Sequence, residues 1–175
     1  ICSALNINIG TLHKTSIEAM VKAGKKSNEL YHKVLLDPVG AGSSSFRTEA
    51  ALNLIRDIQF DVIRGNISEI KTLAAGHGTT SGVDADEADT LTEQNLEKMI
   101  SFIKDFSRRT GSVIAVTGGI DLVSDAKRCF VIRNGRPEMG RITGTGCQLS
   151  GMMTAFLAAN SENNLEAAAA AVCAM

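Results

Sequence analysis

Short apolar runs alternate along the chain with longer segments in which apolar residues recur every three or four positions. The runs predict strands at 4–9, 34–36, 60–63 and 113–116, and a hairpin at 121–124 and 128–133. The periodic segments predict helices at 13–29, 46–58, 67–75, 91–108, 147–159 and 165–175. Strands that alternate with helices in this way predict an α/β fold, a mostly parallel sheet with helices on both faces. A loop is predicted at 76–89 and a glycine-rich turn at 143–146.

The length and composition favour a single domain over residues 1–175. With 175 residues, 44% of them hydrophobic and 21% charged, the chain can bury one sizeable core and is not expected to be disordered. The chain begins at Ile1, without an initiator Met, and its last predicted helix has no stop signal. We therefore expect a domain truncated at both ends from a longer chain.

Charge and composition argue against several classes of partner. The net charge is −1, aromatic residues make up 4% and Trp is absent, which is unlike a protein that binds nucleic acid. No apolar run approaches the ~18 residues of a membrane span, so no membrane partner is expected. The four cysteines lack metal-ligand or disulfide spacing, which favours a reducing, cytoplasmic location.

Ligands of parallel α/β folds bind beyond the carboxyl ends of the strands, so the residues after each strand are the candidates for function. Asp37, Arg64 and Thr117 follow three of the predicted strands, and the turn at 143–146 leads into a helix. A glycine turn before a helix lets backbone N–H groups converge at the positive end of the helix dipole, which suits a phosphoryl group. The alternative is a plain helix start whose glycines allow close packing.

The other candidates also have two interpretations each. Arg64 is suited to clamp a phosphate, or it forms a surface salt bridge. Thr117 is suited to bind a nucleotide phosphate, or it only ends a strand. Asn66 and Glu69 face one site with Glu69 holding Mg²⁺ through water, or they form a capping box. Asp37 serves Mg²⁺ or forms a turn before a proline. The chain has neither a Walker loop nor a GxGxxG motif.

Six motifs occur in a fixed order along the chain. They are ALNINIGTL at 4–12, LDPVGAGSSSFR at 36–47, VIRGNISEI at 62–70, GVDA at 82–85, VIAVTGGIDLVSD at 113–125 and TGTGCQLSG at 143–151. Over nearly its whole length the chain resembles the hydroxyethylthiazole kinase family of the ribokinase-like superfamily. The resemblance implies a three-layer sandwich and transfer of the ATP γ-phosphate to the hydroxyl of 4-methyl-5-(2-hydroxyethyl)thiazole. It also implies Mg²⁺, a role in thiamine salvage and a homotrimer with sites between subunits.

The same resemblance assigns roles to the strand-end residues. Arg64 and Thr117 are expected to contact the ATP phosphates, and Asn66 to lie on the nucleotide side of the NxxE motif that it forms with Glu69. Glu69 and Asp37 are expected to serve Mg²⁺. None of these roles follows from spacing alone.

The resemblance assigns the reacting groups to the turn before the last long helix. Gly144 is expected to lie against the thiazole alcohol, and Gly144, Thr145, Gly146 and Cys147 to form the anion hole. Cys147 stands where most ribokinase-like enzymes carry an aspartate base. A thiol at a helix N-terminus is a candidate proton acceptor. Because phosphoryl transfer depends mainly on positioning and charge stabilisation, we expect Cys147 to assist while the anion hole, Arg64 and Mg²⁺ dominate.

Two positions depart from the family pattern. Gly119 replaces an acidic residue and Leu122 replaces a tyrosine, so a metal or nucleotide role is not expected at position 119. Two alternative functions stay open at this stage. One is a related kinase for pyridoxal or hydroxymethylpyrimidine, against which the cysteine in TGTGC argues. The other is a nucleotide-binding protein without turnover, which would require loss of the phosphate-contacting residues.

Overall fold

Six short strands lie in chain order in one sheet of the computed structural model, which describes residues 2–76 and 91–175. The strands are β1 Ala4–Asn8, β2 Lys33–Asp37, β3 Val62–Gly65, β4 Val113–Val116, β5 Asp121–Ser124 and β6 Cys129–Ile132. Strands β1 to β4 are parallel neighbours, whereas β5 and β6 are antiparallel. The carboxyl ends of four strands therefore meet at the same edge of the sheet.

Helices cover both faces of this sheet. The helices of the described residues are α1 Lys14–Glu29, α2 Ser45–Asp57, α3 Ile67–Gly76, α4 Leu96–Thr110, α5 Thr145–Ala159 and α6 Asn164–Ala174. On one face α1 packs on β1 and β2, α3 on β3, and α4 on β4 and β5. On the other face α5 packs on β1 and β2, and α6 on β4 to β6. The predicted α/β fold with a helix–sheet–helix sandwich is confirmed.

The buried strands explain the continuous apolar runs of the sequence. Along β2, Val34 and Leu36 belong to the core under α1 to α4, whereas Leu35 belongs to the core under α5 and α6. Along β4, Ile114 and Val116 face the first core while Val113 and Ala115 face the second. Because both faces are buried, the middle positions of these strands are apolar, and charged residues occur only at the two ends of β2, at Lys33 and Asp37.

Several boundaries differ from the predictions, and one short helix was not predicted. The helix predicted from residue 91 begins at Leu96, since the Thr92 N–H donates to Asn95 Oδ1 and the Asn95 N–H to the Thr92 carbonyl in a turn. Leu91 is buried although it precedes the helix, which explains why it extended the apolar pattern. Strand β3 runs on to Gly65, so Arg64 lies inside the strand. A short 3-10 helix at Pro137–Arg141 was not predicted.

Two predictions remain, one for the loop after α3 and one for the absence of a membrane-spanning segment. The loop predicted at 76–89 lies outside the described residues except for Gly76, which ends α3, and the GVDA motif lies outside them entirely. Within the described residues, no helix is both long enough and apolar enough to cross a membrane.

Replacing one glycine in each layer of helices by alanine tests this packing. A Cβ at Gly24 in α1 would meet Ile58 Cδ1 and lie 2.8 Å from Ile58 Cγ1, whereas a Cβ at Gly151 in α5 has no described atom within 4 Å. We expect Gly24→Ala to lower the free energy of unfolding by about 1–3 kcal/mol through overpacking. The matched Gly151→Ala change should raise it by about 0.5–1 kcal/mol, because alanine favours the helix. Urea unfolding of both variants measures this, and equal effects would contradict the described packing of α1 on Ile58.

Candidate active site

The carboxyl ends of β1 to β4 bring together polar residues that are far apart in the sequence. Asn8 and Asp37 are register partners at the ends of β1 and β2, Arg64 lies near the end of β3, and Thr117 follows β4. The N-terminus of α5 lies against the same edge, because α5 packs on β1 and β2. The predicted strand-end residues therefore lie close to one another.

Asp37 is the most deeply buried charged residue of this edge, with 1% of its surface exposed. Its Oδ2 accepts hydrogen bonds from Asn8 Nδ2 at 3.0 Å and from Ser150 Oγ at 2.8 Å, and Arg64 Nη1 lies 3.6 Å away. Its Oδ1 has no hydrogen-bond partner among the described residues. Burial raises the pKa of Asp37, and the charge of Arg64 and the Ser150 hydrogen bond offset part of that rise.

The Arg64 guanidinium connects three strands with the start of α5. Its Nη2 donates to Thr117 Oγ1 at 2.7 Å, while Nη1 faces Asp37. A Cβ at Gly146 would lie 2.8 Å from Nη1 and 3.0 Å from Nη2, so the guanidinium packs directly on the glycine backbone. The side chain is 12% exposed, and Nε has no hydrogen-bond partner in the described part of the chain. The positive charge of Arg64 is therefore held in a fixed position beside the start of α5.

Helix α5 begins without a side-chain cap. Gly144, the residue before the helix, has φ of 91°, a conformation that favours glycine, and its carbonyl accepts the Gln148 N–H. The first N–H groups of a helix have no intrahelical acceptor, and here the described residues supply no capping side chain. The N–H groups of Thr145, Gly146 and Cys147 thus form a positive helix end beside Arg64, which suits an anion.

Asn66 and Glu69 form a capping box, which is one of the two arrangements predicted for them. The Asn66 N–H donates to Glu69 Oε2 and the Glu69 N–H donates to Asn66 Oδ1, both at 2.8 Å. Glu69 Oε1 also accepts the Gly40 N–H at 2.8 Å. The negative charge of Glu69 contributes to the raised pKa of Asp37. The two carboxylates are therefore close enough to influence each other.

The residues that are present fit a magnesium ion bound through water. Asp37 offers its unpartnered Oδ1, and each Glu69 oxygen keeps acceptor capacity beyond its one backbone hydrogen bond. Among the described residues, no group of three or more His, Cys, Asp or Glu side chains could hold a metal by itself. Mg²⁺ commonly uses one or two carboxylates together with water and phosphate oxygens, which is the donor set available here.

A cleft of about 560 Å³ opens beside Arg64. Its lining combines site residues with glycines and with side chains from the β5–β6 hairpin, the 3-10 helix and α6. The lining residues are Arg64, Thr117, Gly118, Gly119, Asp121, Asn134, Gly135, Arg136, Met139, Gly140, Thr145, Gly146, Leu149, Val172 and Met175. Predicted phosphate-binding residues therefore lie at one side of a space large enough for a small-molecule ligand.

The loop after β4 is held by a second, partly buried carboxylate. Asp121 Oδ1 accepts the Gly118 N–H at 2.9 Å. Burial raises the pKa of Asp121, whereas that hydrogen bond and the charge of Arg64 lower it in part. A Cβ at Gly119 would have no described atom within 4 Å. Position 119 therefore has room for a Cβ, and Asp121, the first residue of β5, lines the cleft.

Two residues of the site were missed by the sequence analysis. Asn8 donates from Nδ2 to Cys147 Sγ at 3.2 Å as well as to Asp37, and Ser150 donates to Asp37 from one turn further along α5. Asn8 was treated only as part of a strand, although its place at the strand end was a usable signal. Nothing in the sequence marked Ser150.

The chain is similar to known proteins over its whole length. The sequence model of the hydroxyethylthiazole kinase family matches residues 1–175. The chain belongs to the hydroxyethylthiazole kinase family. It is 54% identical over 175 residues to the hydroxyethylthiazole kinase of Clostridium acetobutylicum and 41% identical over 175 residues to that of Clostridium tetani. All of this chain is covered in both cases, but only 64% and 63% of the relatives. The chain therefore spans less than two thirds of these curated relatives.

Solved structures support the fold of this hydroxyethylthiazole kinase family member. The hydroxyethylthiazole kinase protein from Pyrococcus horikoshii is 35% identical with a TM-score of 0.83, covering 97% of this chain and 59% of that chain. Pyridoxal kinase from Bacillus subtilis is 19% identical with a TM-score of 0.58, covering 95% of this chain and 60% of that chain. The second likeness extends to the fold alone, which is the predicted ribokinase-like arrangement.

The raised pKa of Asp37 predicts a dependence of stability on pH. A carboxyl whose pKa is higher in the folded than in the unfolded state favours the folded state most at low pH. This contribution to the free energy of unfolding is lost as pH rises through the raised pKa. We expect the unfolding free energy of the wild type, relative to Asp37→Asn, to fall as pH rises from about 3.9 through the raised pKa. Urea unfolding at a series of pH values measures this difference. A difference that grows with pH in that window would contradict a pKa of Asp37 raised by burial.

Proposed function

We propose that the protein transfers the γ-phosphoryl group of ATP to the hydroxyl of 4-methyl-5-(2-hydroxyethyl)thiazole, in thiamine salvage. The observation that carries the proposal is the packing of the Arg64 guanidinium on Gly146, at an uncapped helix N-terminus beside a cleft. A fixed cation and convergent N–H groups at one point are suited to a transferring phosphoryl group, whose oxygens carry the negative charge. Membership of the family supports the choice of the thiazole alcohol.

Each part of the site has a role in this reaction. Arg64 and Thr117 bind the ATP phosphates from the strand side, with Asn66 at the edge of the nucleotide site. The N–H groups of residues 145–147 neutralise the charge that develops on the transferred group. Gly144 lies next to the alcohol. Cys147 Sγ, as the thiolate, receives the hydroxyl proton as the alcohol oxygen attacks phosphorus and the bond to the ADP oxygen breaks.

Mg²⁺ would be held by Asp37 and Glu69, and when bound it would draw negative charge from the phosphate oxygens. The proposal further includes one ribokinase-like domain over residues 1–175 and a homotrimer with sites between subunits, as the family resemblance implies. It also includes a cytoplasmic location, which the spacing of the cysteines favours. The remaining third of the relatives' length is expected to complete the thiazole pocket.

Release of ADP tests the reaction directly. The purified full-length protein is given ATP and Mg²⁺ with the thiazole alcohol, hydroxymethylpyrimidine or pyridoxal, each in a separate reaction. We expect release that depends on the thiazole alcohol. Release with only one of the other alcohols would overturn the substrate. A folded protein that binds ATP and releases no ADP with any of the three would overturn the proposed turnover.

The relative weight of Cys147 and Arg64 can be measured in the same assay. Because charge stabilisation dominates phosphoryl transfer, we expect Arg64→Ala to lower kcat by about 10³-fold or more and Cys147→Ala by about 10–100-fold. Cys147→Asp should retain or raise activity, since a carboxylate is a proton acceptor of similar reach. If Cys147→Ala abolished turnover as completely as Arg64→Ala, the ranking of the two residues would be wrong.

A further inference from the structure

Asn8 occupies a position between two groups of the site. It is the last residue of β1 and the register partner of Asp37 at the end of β2. Its side chain reaches from the Asp37 carboxylate to the first turn of α5, where Nδ2 lies 3.0 Å from Asp37 Oδ2 and 3.2 Å from Cys147 Sγ. One amide group therefore connects two strands of the sheet with the candidate proton acceptor.

The orientation of the Asn8 amide is determined by its neighbours. The Gly10 N–H, which can only donate, lies 2.8 Å from Asn8 Oδ1, so the oxygen must face Gly10. The NH₂ group then faces Asp37 and Cys147, and its two hydrogens match these two acceptors. A flipped amide would place its oxygen against a carboxylate oxygen and would leave its NH₂ group facing a donor. Asn8 thus has a single favourable arrangement.

The same carboxylate oxygen also faces Arg64. Asp37 Oδ2 accepts the Asn8 hydrogen bond and lies 3.6 Å from Arg64 Nη1. The sulfur of Cys147 is therefore connected to the phosphate-binding cation through Asn8 and one buried oxygen. Since Asp37 is 1% exposed, that oxygen is fixed by packing and provides a rigid reference point for the exposed cysteine.

We propose that Asn8 is a positioning residue that holds Cys147 Sγ at a set distance from Arg64. The inference rests on the proposed function for its catalytic consequence, because only a sulfur held near the transferred phosphoryl group can receive the alcohol proton as the new oxygen–phosphorus bond forms. Asn8 acts on the reaction only through this sulfur. Its contact with the sulfur is independent of any substrate.

Gly10 offers a second way to disturb the same contact. A Cβ at Gly10 would lie 2.9 Å from Asn8 Oδ1, so Gly10→Ala pushes the amide away without changing Asn8, Asp37 or Cys147. Ser150→Ala is the matched control. It removes another hydrogen bond to Asp37 Oδ2 but no hydrogen bond to the sulfur.

A double-mutant cycle tests the positioning role. We expect Asn8→Ala to lower kcat about 10-fold to 100-fold with little change in the KM for ATP, because a misplaced group costs rate rather than phosphate binding. In a Cys147→Ala background, Asn8→Ala should cause no more than the loss that Ser150→Ala causes there, because each change then removes only one hydrogen bond to Asp37 Oδ2. Gly10→Ala should follow the Asn8→Ala pattern with a smaller effect. Losses from Asn8→Ala and Cys147→Ala that multiply would overturn the proposal.

Alkylation of Cys147 keeps the inference testable if the proposed reaction is wrong. An N–H donated to sulfur stabilises the thiolate, the form that reacts with iodoacetamide. We expect several-fold slower alkylation of Cys147 in Asn8→Ala and Gly10→Ala than in the wild type and Ser150→Ala. Peptide mass spectrometry separates Cys147 from the free cysteines Cys2, Cys129 and Cys173. Equal rates in all four proteins would overturn the contact, whether or not the protein phosphorylates the thiazole alcohol.

Discussion

The buried pair of Asp37 and Arg64 is the interaction on which the rest of the site depends. Arg64 Nη1 and Asp37 Oδ2 lie 3.6 Å apart at the ends of neighbouring strands, with side chains that are 12% and 1% exposed. Burying both charges is expensive, and the raised pKa of Asp37 indicates that Arg64, Ser150 and Asn8 do not fully offset that cost. The pair is therefore better explained by ligand binding than by stability.

The unpartnered atoms of this pair support that explanation. Asp37 Oδ1 and Arg64 Nε are buried and have no hydrogen-bond partner among the described residues. Buried polar atoms in native proteins nearly always have a partner, so these two mark a place where a ligand, water or ion completes the hydrogen bonding. Both atoms belong to side chains that contact the first turns of α5, Asp37 through Ser150 and Arg64 through Gly146. The chemistry of the site and its incomplete hydrogen bonding thus occur at the same place.

Much of this arrangement follows from the sequence for simple physical reasons. Runs such as Val34–Leu36 are buried on both faces, so they predict parallel strands, and the strand-end rule then selects Asp37, Arg64 and Thr117. The resemblance to one family assigned their roles, which spacing alone left open. The glycines of the α5 turn were predicted to let backbone N–H groups converge or to allow close packing, but the group that packs on them was not predicted. Gly144 takes a left-handed conformation, while Gly146 makes room for the Arg64 guanidinium.

The residues that were missed depend on tertiary contacts. Asn8 contacts Asp37 through the register of β1 and β2, and Cys147 through the packing of α5, neither of which a local pattern contains. Ser150 is 113 positions from Asp37 and resembles any polar residue of a helix. The start of α4 was predicted too early because Leu91 is buried although it lies before the helix and not in it.

The most direct test of the account is the affinity of the protein for a non-hydrolysable ATP analogue when the packing of Arg64 on Gly146 is disturbed. The account predicts that Gly146→Ala weakens binding in isothermal titration calorimetry about 10-fold or more, because the added methyl group displaces the guanidinium and a charge-assisted phosphate contact is lost. Gly151→Ala, in the same helix with open space around it, should bind as the wild type does. Equal affinity of all three proteins would contradict the central role of Arg64 in holding phosphate.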